Sequence, residues 1–269
     1  MDDYLLFLGT AGDHTILAQS HSSYGIVFYL EGKLFLADPG PGAFLKAVQY
    51  TVNPAEIETL MLTHNHLMHI NDANVFIMAM TDGCNEKKGH LFGPKNLFAR
   101  APKKHIYLPP FFRNHVKNHH SLKAGDKVRI GTTDIKATPV EHPDGGLGYK
   151  ITTPYQTISY VGDTSYEQKV IKAHEGCTIL ILNCKNPINI EEKGQMNITE
   201  VQRIIEYLHP EVVFLNHLGS ALIKMITPID LARELQKKTG VHVVAAKEGL
   251  RTPLSQYIAK HRQKTLESY

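Results

Sequence analysis

The stretch Leu62-Thr63-His64-Asn65-His66-Leu67-Met68-His69-Ile70-Asn71-Asp72 sets three histidines within six residues. It directly follows residues 58–62, which read as a buried strand. Imidazole is the commonest metal ligand in proteins. His64 and His66 are two apart, so on an extended segment they project to the same side. His69 follows three further on, where a turn or helix start brings it back toward them. A strand end that delivers three imidazoles to one point suits a transition-metal site such as zinc. The alternative is a histidine-rich surface loop, since the chain carries 16 histidines. What lies downstream decides between them.

Asn71 or Asp72 can cap a helix over residues 75–80. This makes Asp72 a capping or supporting group rather than a metal ligand. Upstream, residues 25–30 and 33–37 are apolar runs joined by Glu31-Gly32, a hairpin signature. The second run ends at Asp38-Pro39-Gly40-Pro41-Gly42, and residues 43–50 read as a helix. Asp38, at a strand end beside a turn, is either a carboxylate of the site or a turn cap. Residues 5–8 form a strand closed by Gly9-Thr10-Ala11-Gly12, read as a tight turn rather than a phosphate loop.

Downstream, residues 127–130 and 134–139 form another hairpin that ends at Val140-Glu141-His142-Pro143. Strands follow at 149–152 and 157–161, the latter closing in Gly162-Asp163-Thr164. A helix at 166–173, a strand at 178–182, a helix at 198–208 and a strand at 212–215 lead to Asn216-His217-Leu218-Gly219. A helix at 227–239 and a strand at 241–245 complete the pattern, and the charged segment from Thr252 is expected to be partly helical. An apolar strand ends and a His or Asp follows at His64/His66, His142, Asp163 and His217. Residues at strand ends along one edge of a sheet converge in space although far apart in sequence. The recurrence of strand and helix in both halves predicts two similar halves packed sheet on sheet, with helices outside.

Residues 83–127 show the least order. Nine Lys or Arg residues between Lys87 and Lys123, Arg100, Lys103 and Lys104 among them, alternate with Phe92, Phe98, Phe111 and Phe112. Such a mixture grips a phosphorylated or nucleotide ligand, or is simply a solvated loop. His115, His119 and His120 lie here and read as surface residues.

Composition bounds the remaining classes. With 269 residues, 42% hydrophobic and 20% charged, the chain is an ordinary globular protein with a sizeable core. We expect one domain over residues 1–269. A net charge of +3 gives no global field for nucleic acid or an anionic membrane. Cys84, Cys177 and Cys184 have no metal-motif spacing and point to free thiols in a reducing compartment. The acidic start Met1-Asp2-Asp3 is unlike a secretory signal, and no apolar run approaches a membrane span. A cytoplasmic location, no membrane partner and a homo-oligomeric assembly are the expectations.

Phe7-Leu8-Gly9-Thr10, Ser22-Ser23, Asp38-Pro39-Gly40, the histidine cluster, His142, Gly162-Asp163-Thr164 and Asn216-His217 together resemble the metallo-β-lactamase superfamily, in its ribonuclease Z-like and phosphodiesterase branch. The resemblance covers nearly the whole chain. It implies an α/β fold, a four-layer αββα sandwich of mixed sheets with helices outside and a site along one edge. By it, His64, His66 and His142 hold one metal, His69 and His217 a second, and Asp163 bridges them. His69, Asp163 and His217 are the expected catalytic set. The implied cofactor is one or two Zn²⁺ ions, with Mn²⁺ or Fe²⁺ as substitutes. Two metals about 3.5–4 Å apart share a hydroxide, lower its pKa and polarise the scissile group.

Two positions depart from the family pattern. Met68 stands where the family has an aspartate ligand to the second metal, and a thioether is a poor substitute for a carboxylate at zinc. Gln195-Met196 stands where related phosphodiesterases often carry a histidine able to protonate the leaving group. His142 and Asp163 are 21 positions apart, too close for the long arm of the enzymes that process transfer RNA. The expected function is therefore a metal-dependent hydrolase, a compact phosphodiesterase acting on a small or nucleotide-like phosphodiester through metal-bound hydroxide. One alternative is a hydrolase of thioesters, lactones or β-lactams on the same fold. The other is a catalytically impaired metal-binding protein acting through residues 87–123, with nucleic acid as partner.

Overall fold

Alternation along the strands decides how this chain layers. In Tyr4–Phe7, Leu5 and Phe7 pack into one apolar cluster while Tyr4 and Leu6 pack into another, as the two-residue period of a strand requires. The same division recurs in Val212–Asn216, where Val212 and Phe214 turn one way and Val213 and Leu215 the other. Strands buried on both faces need a layer on each side.

The computed structural model describes residues 2–19, 21–98 and 108–257. The first sheet contains β1 (Tyr4–Phe7), β2 (Ile26–Leu30), β3 (Lys33–Ala37), β4 (Ile57–Met61), β5 (Lys88–Pro94) and β6 (Val116–Leu122). The second contains β7 (Lys127–Ile130), β8 (Thr133–Thr138), β9 (Gly148–Thr152), β10 (Thr157–Tyr160), β11 (Ile179–Asn183), β12 (Val212–Asn216) and β13 (His242–Ala245). A short β14 (Arg251–Pro253) returns to pair with β1. The orders are β14-β1-β2-β3-β4-β5-β6 and β13-β12-β11-β10-β9-β8-β7. Each sheet is antiparallel at its start and parallel later, through β3 to β6 in one and β10 to β13 in the other.

The central cluster joins the inner faces of the two sheets, with Phe7, Phe28, Phe35 and Phe92 meeting Ile135, Tyr149, Ile181 and Phe214. The rings of Phe7 and Phe214 stand 5.5 Å apart, a contact worth about 0.5–1.5 kcal/mol beyond burial alone. Helices Ala43–Gln49 and Ala73–Met80 cover the outside of the first sheet through Ala47, Phe76 and Ile77. Ile198–Leu208 and Pro228–Thr239 cover the second through Val201, Ile205, Leu231 and Leu235. The expected four-layer αββα arrangement is thus the observed one.

Local chemistry explains the joints. Glu31 (φ 51°) and Gly32 (φ 78°) are both left-handed, the two-residue turn that matches strand twist. Asn197 caps Ile198–Leu208 and exchanges bonds with Glu200 in a capping box, while Thr227 caps Pro228–Thr239. Asp72 sits at the start of Ala73–Met80 but does not cap it. Its carboxylate accepts the Phe44 backbone N–H at 3.0 Å and so serves the neighbouring helix. Gly12 is not a mere turn residue, because a Cβ there would lie 2.6 Å from the His217 carbonyl oxygen.

The region expected to be least orderly is the main correction. It contributes β5 and β6 and the helices Lys95–Phe98 and Pro110–His115. In β6 only Val116 and Leu122 are buried, because the strand lies at a sheet edge. Its polar face therefore hid it from an apolar pattern. His119 and His120 are exposed, as expected, and His115 is half-buried. Arg100, Lys103 and Lys104 lie outside the described residues, as does the C-terminal segment from 258; of the segment expected to be partly helical, residues 252–253 end a strand and residues 255–257 are helical. Cys84, Cys177 and Cys184 are free thiols. Among the described residues no helix is long and apolar enough to cross a membrane.

His174, in the turn after Gln168–Lys172, is fully buried, and neither ring nitrogen has a hydrogen-bond partner among the described residues. Burial, helped by the charges of Lys150 and Lys136, pushes its pKa down to about 3. The unfolded chain then binds a proton below its ordinary value of 6.5 that the folded chain refuses, so stability is lost as pH falls below that value. Between about pH 7.5 and about pH 5 this one group should remove ~2 kcal/mol. Urea titrations of wild type and His174→Leu over that range should show the extra loss in wild type alone; parallel slopes would contradict it.

Candidate metal centre

The C-terminal ends of four strands feed one point. β4 leads through Leu62 and Thr63 to His64, and His66 opens the one-turn helix Leu67–Ile70 that carries His69. β8 leads to His142, β10 through Gly162 to Asp163, and β12 to His217. Two groups of donors result, His64, His66, His142 and Asp163, and His69, Asp163 and His217; within each group the donor atoms lie within 4.8 Å of one another. All six residues singled out in the sequence are brought together. The rings of His64 and His69 stand 4.1 Å apart, those of His64 and His142 4.7 Å, and those of His69 and His217 5.4 Å.

Carboxylates and a hydroxyl orient three of the imidazoles. Asp38 is fully buried, in a left-handed backbone (φ 45°). It accepts the Thr63 N–H at 2.7 Å, the Thr63 hydroxyl at 2.6 Å and the Tyr160 hydroxyl at 2.7 Å. Asp38 Oδ2 also lies 3.0 Å from His69 Nδ1. An ionised carboxylate only accepts, so Nδ1 of His69 holds the proton and Nε2 is left as a ligand. Thr63, having given its proton to Asp38, accepts from His64 Nδ1 at 2.9 Å, freeing Nε2 of His64. Asp144 stands 2.9 Å from His66 Nε2, leaving Nδ1 of His66 toward the centre. Such partners fix the tautomer and aim of metal-binding imidazoles. Asp38 therefore belongs to the site rather than to a turn cap.

Asp163 is held as firmly. Oδ1 accepts from the Tyr24 hydroxyl at 3.2 Å and from Asn183 Nδ2 at 2.6 Å, and Oδ2 accepts from Gln195 Nε2 at 2.7 Å. Oδ2 also faces His69 Nε2 at 3.3 Å, His217 Nε2 at 3.4 Å and His64 Nε2 at 3.9 Å. Burial alone would raise the Asp163 carboxyl, but the imidazoles of His217 and His69 outweigh it and hold it well below the carboxylate range. Burial likewise opposes charge on His69, yet Asp163 and Asp38 bring it up to about 9. Burial and the neighbouring His69 hold His64 well below its ordinary value. Burial also lowers His142. The pocket thus favours positive charge beside Oδ2.

These residues fit a divalent ion. His69 Nε2 is buried and, although 3.3 Å from Asp163 Oδ2, makes no hydrogen bond to it. An ion 2.0–2.1 Å from each of two donors sets those donors about 2.9–3.4 Å apart, from square to tetrahedral angles. The observed His64 Nε2 to His66 Nδ1 separation is 2.9 Å, and the His69 and His217 separations from Oδ2 are 3.3 and 3.4 Å. The His64 to Oδ2 separation of 3.9 Å is wider. Met68 lines the same cavity, of about 320 Å³, and adds no carboxylate to the second group. Its carbonyl is pinned by the Ser23 hydroxyl at 2.6 Å, under Gly40, where a Cβ would meet it at 1.9 Å. A larger cleft of about 610 Å³, lined by Glu56, Glu58, Lys88 and Lys117, lies at the opposite ends of β4 to β6, away from the ligands.

Tyr24, Tyr160, Asn183 and the binding role of Gln195 were not legible in the sequence, though Asn183 shares the strand-end address of the ligands. Since Asp38 aims His69 and, through Thr63, His64, Asp38→Asn should weaken metal binding about 10–100-fold. Tyr160→Phe, which removes one of the four bonds to Asp38, should have a smaller effect in the same direction. Competition against a chelating dye measures both; unchanged affinity in Asp38→Asn would contradict this role.

Comparison with known proteins adds the lineage. The family model for the beta-lactamase superfamily domain matches residues 33–218, which include all six residues of the centre. An uncharacterized protein of Methanocaldococcus jannaschii is 27% identical over 254 residues, covering 93% of this chain and 94% of that protein. Ribonuclease Z of Thermococcus onnurineus is 26% identical over 145 residues, 54% of this chain and 45% of that enzyme. The chain thus spans about half the length of that ribonuclease. The solved structure of the metallo-beta-lactamase fold protein YhfI from Bacillus subtilis superposes with a TM-score of 0.76 at 19% identity, covering 94% of this chain and 99% of that one. Fold and family model agree: the chain belongs to the metallo-β-lactamase superfamily, with ribonuclease Z among the proteins it is similar to.

Proposed function

We propose that the chain is a zinc-dependent phosphodiesterase acting on small or nucleotide-like phosphodiesters, with Mn²⁺ or Fe²⁺ able to replace zinc. The observation that carries this is the position of Asp163, which belongs to both donor groups, with Oδ2 at 3.3 and 3.4 Å from His69 and His217 and at 3.9 Å from His64. Neutral imidazoles with a single shared carboxylate suit zinc and leave net positive charge for an anionic substrate. When bound, the ions would supply a water of lowered pKa and a positive counterpart to a phosphoryl oxygen. The similarity to a ribonuclease supports phosphodiester chemistry. The cavity of about 320 Å³ suits a small ligand. Between His142 and Asp163 the chain has only β9, β10 and their turns, which supports a compact substrate over transfer RNA.

The chain's own residues have definable tasks. Asp38 and Thr63 keep the outer nitrogens of His69 and His64 occupied, so their inner nitrogens stay available. Tyr24 and Asn183 fix one oxygen of Asp163 and leave the other inward. Gln195 donates to that inward oxygen, and its amide has no proton to give to a leaving group at neutral pH. Substrates with good leaving groups are therefore expected to turn over fastest.

A second reading, a metal-binding protein without turnover, draws on Met68 and Gln195. Both readings are separated by bis(4-nitrophenyl) phosphate with added Zn²⁺ or Mn²⁺. Turnover that is abolished by chelator and raised about tenfold or more in Met68→Asp supports the phosphodiesterase. No turnover in either protein would overturn it, and turnover of thioesters or lactones alone would move the activity to carbonyl substrates.

A further inference from the structure

The cavity over the centre is closed on one side by a tight turn, residues 192–195, that is tied to the centre itself. Gln195 N–H returns to the Glu192 carbonyl at 3.0 Å, Gly194 N–H donates to Ser165 Oγ at 2.7 Å, and the Gln195 side chain reaches Asp163. Gly194 rests directly on His142, where a Cβ would come within 2.7 Å of the ring. The residue at the tip of this turn is Lys193, and it lines the cavity.

The other charged side chains at the rim are engaged. Lys185 pairs with Glu192 at 2.7 Å, and Glu192 also accepts from Asn186 at 3.2 Å. Asp13 caps its own helix and accepts the Ser220 N–H at 2.7 Å. Asp144 holds His66 at 2.9 Å. Lys193 is exposed and has no hydrogen-bond or ion-pair partner among the described residues. Glu141, which feels its charge, is already paired with Lys169 at 2.6 Å. Lys193 borders both a second cleft, lined by Glu191, Glu192 and Glu200, and the cavity over the centre, where Lys185 and the histidines stand with Asp13, Asp144 and Glu192.

We propose that Lys193 sets substrate specificity by binding a second phosphate, beyond the scissile phosphodiester, so that diesters carrying a further terminal phosphate are preferred. This rests on the phosphodiesterase reading for the reacting bond, but the charge selection itself can be measured as binding. An unpartnered ammonium on an anchored turn gains an ion pair without first breaking one.

The test is calorimetric binding of the thymidine dinucleotide TpT and of its 5′-phosphorylated form to zinc-loaded protein, with hydrolysis followed in parallel. Wild type should bind the phosphorylated form about fivefold more tightly, and the preference should shrink as salt is raised. Lys193→Ala should bring the ratio near unity, and Lys193→Arg should restore it. Lys238→Ala, which removes the same charge from the outer helix Pro228–Thr239, should retain the ratio. No preference in wild type, a ratio that survives Lys193→Ala, or an equal loss in Lys238→Ala would overturn the proposal. A ratio that collapses in Lys193→Ala while neither dinucleotide is cleaved supports the phosphate site and counts against the phosphodiesterase.

Discussion

A single carboxylate oxygen, Oδ2 of Asp163, is the point on which the site turns. It faces three imidazoles from two donor groups, and its partner oxygen is bound by Tyr24 and Asn183. Burying a carboxylate without compensation costs several kcal/mol. Here the surrounding imidazoles hold it ionised against its burial, which is what a cation-binding centre requires. The two halves of the protein meet on this atom: His64, His66 and His69 come from the first sheet, and His142, Asp163 and His217 from the second.

That meeting imposes unusual backbone on the strand ends. Asp38 and His217 both lie at positive φ, 45° and 56°. Such conformations cost roughly 1–3 kcal/mol each and persist only where the surroundings fix them. At Asp38 the fixing bonds are visible: its N–H reaches the Met61 carbonyl at 3.0 Å, and its carboxylate holds Thr63 and Tyr160. At His217 the neighbouring Leu218 is clamped to the first sheet's opening loop through Gly12 N–H at 2.9 Å. Gly12 thus allows close backbone approach beside a candidate ligand.

The six candidate ligands were legible in the sequence because they follow apolar runs, and strand ends are where side chains leave the core. The groups that hold them were not. Tyr24, Gln195 and Asn183 reach Asp163 from 139, 32 and 20 residues away, and nothing local marks a buried tyrosine as a partner of a carboxylate. Asp72 shows the same limit: its position announces a cap, but the N–H it accepts belongs to another helix. β6 escaped notice because an edge strand with five of seven residues not buried carries no apolar alternation. Gln195 registers in the sequence only as a missing histidine, and the structure gives it a bond to the shared oxygen.

The most direct test of a shared-carboxylate centre is zinc titration followed by native mass spectrometry, comparing wild type with Asp163→Asn. A bridging Oδ2 predicts that wild type binds two ions, the second more weakly because Met68 adds no carboxylate, and that Asp163→Asn weakens both steps together. Loss of one ion with the other bound as in wild type would contradict it, as would wild type that binds none.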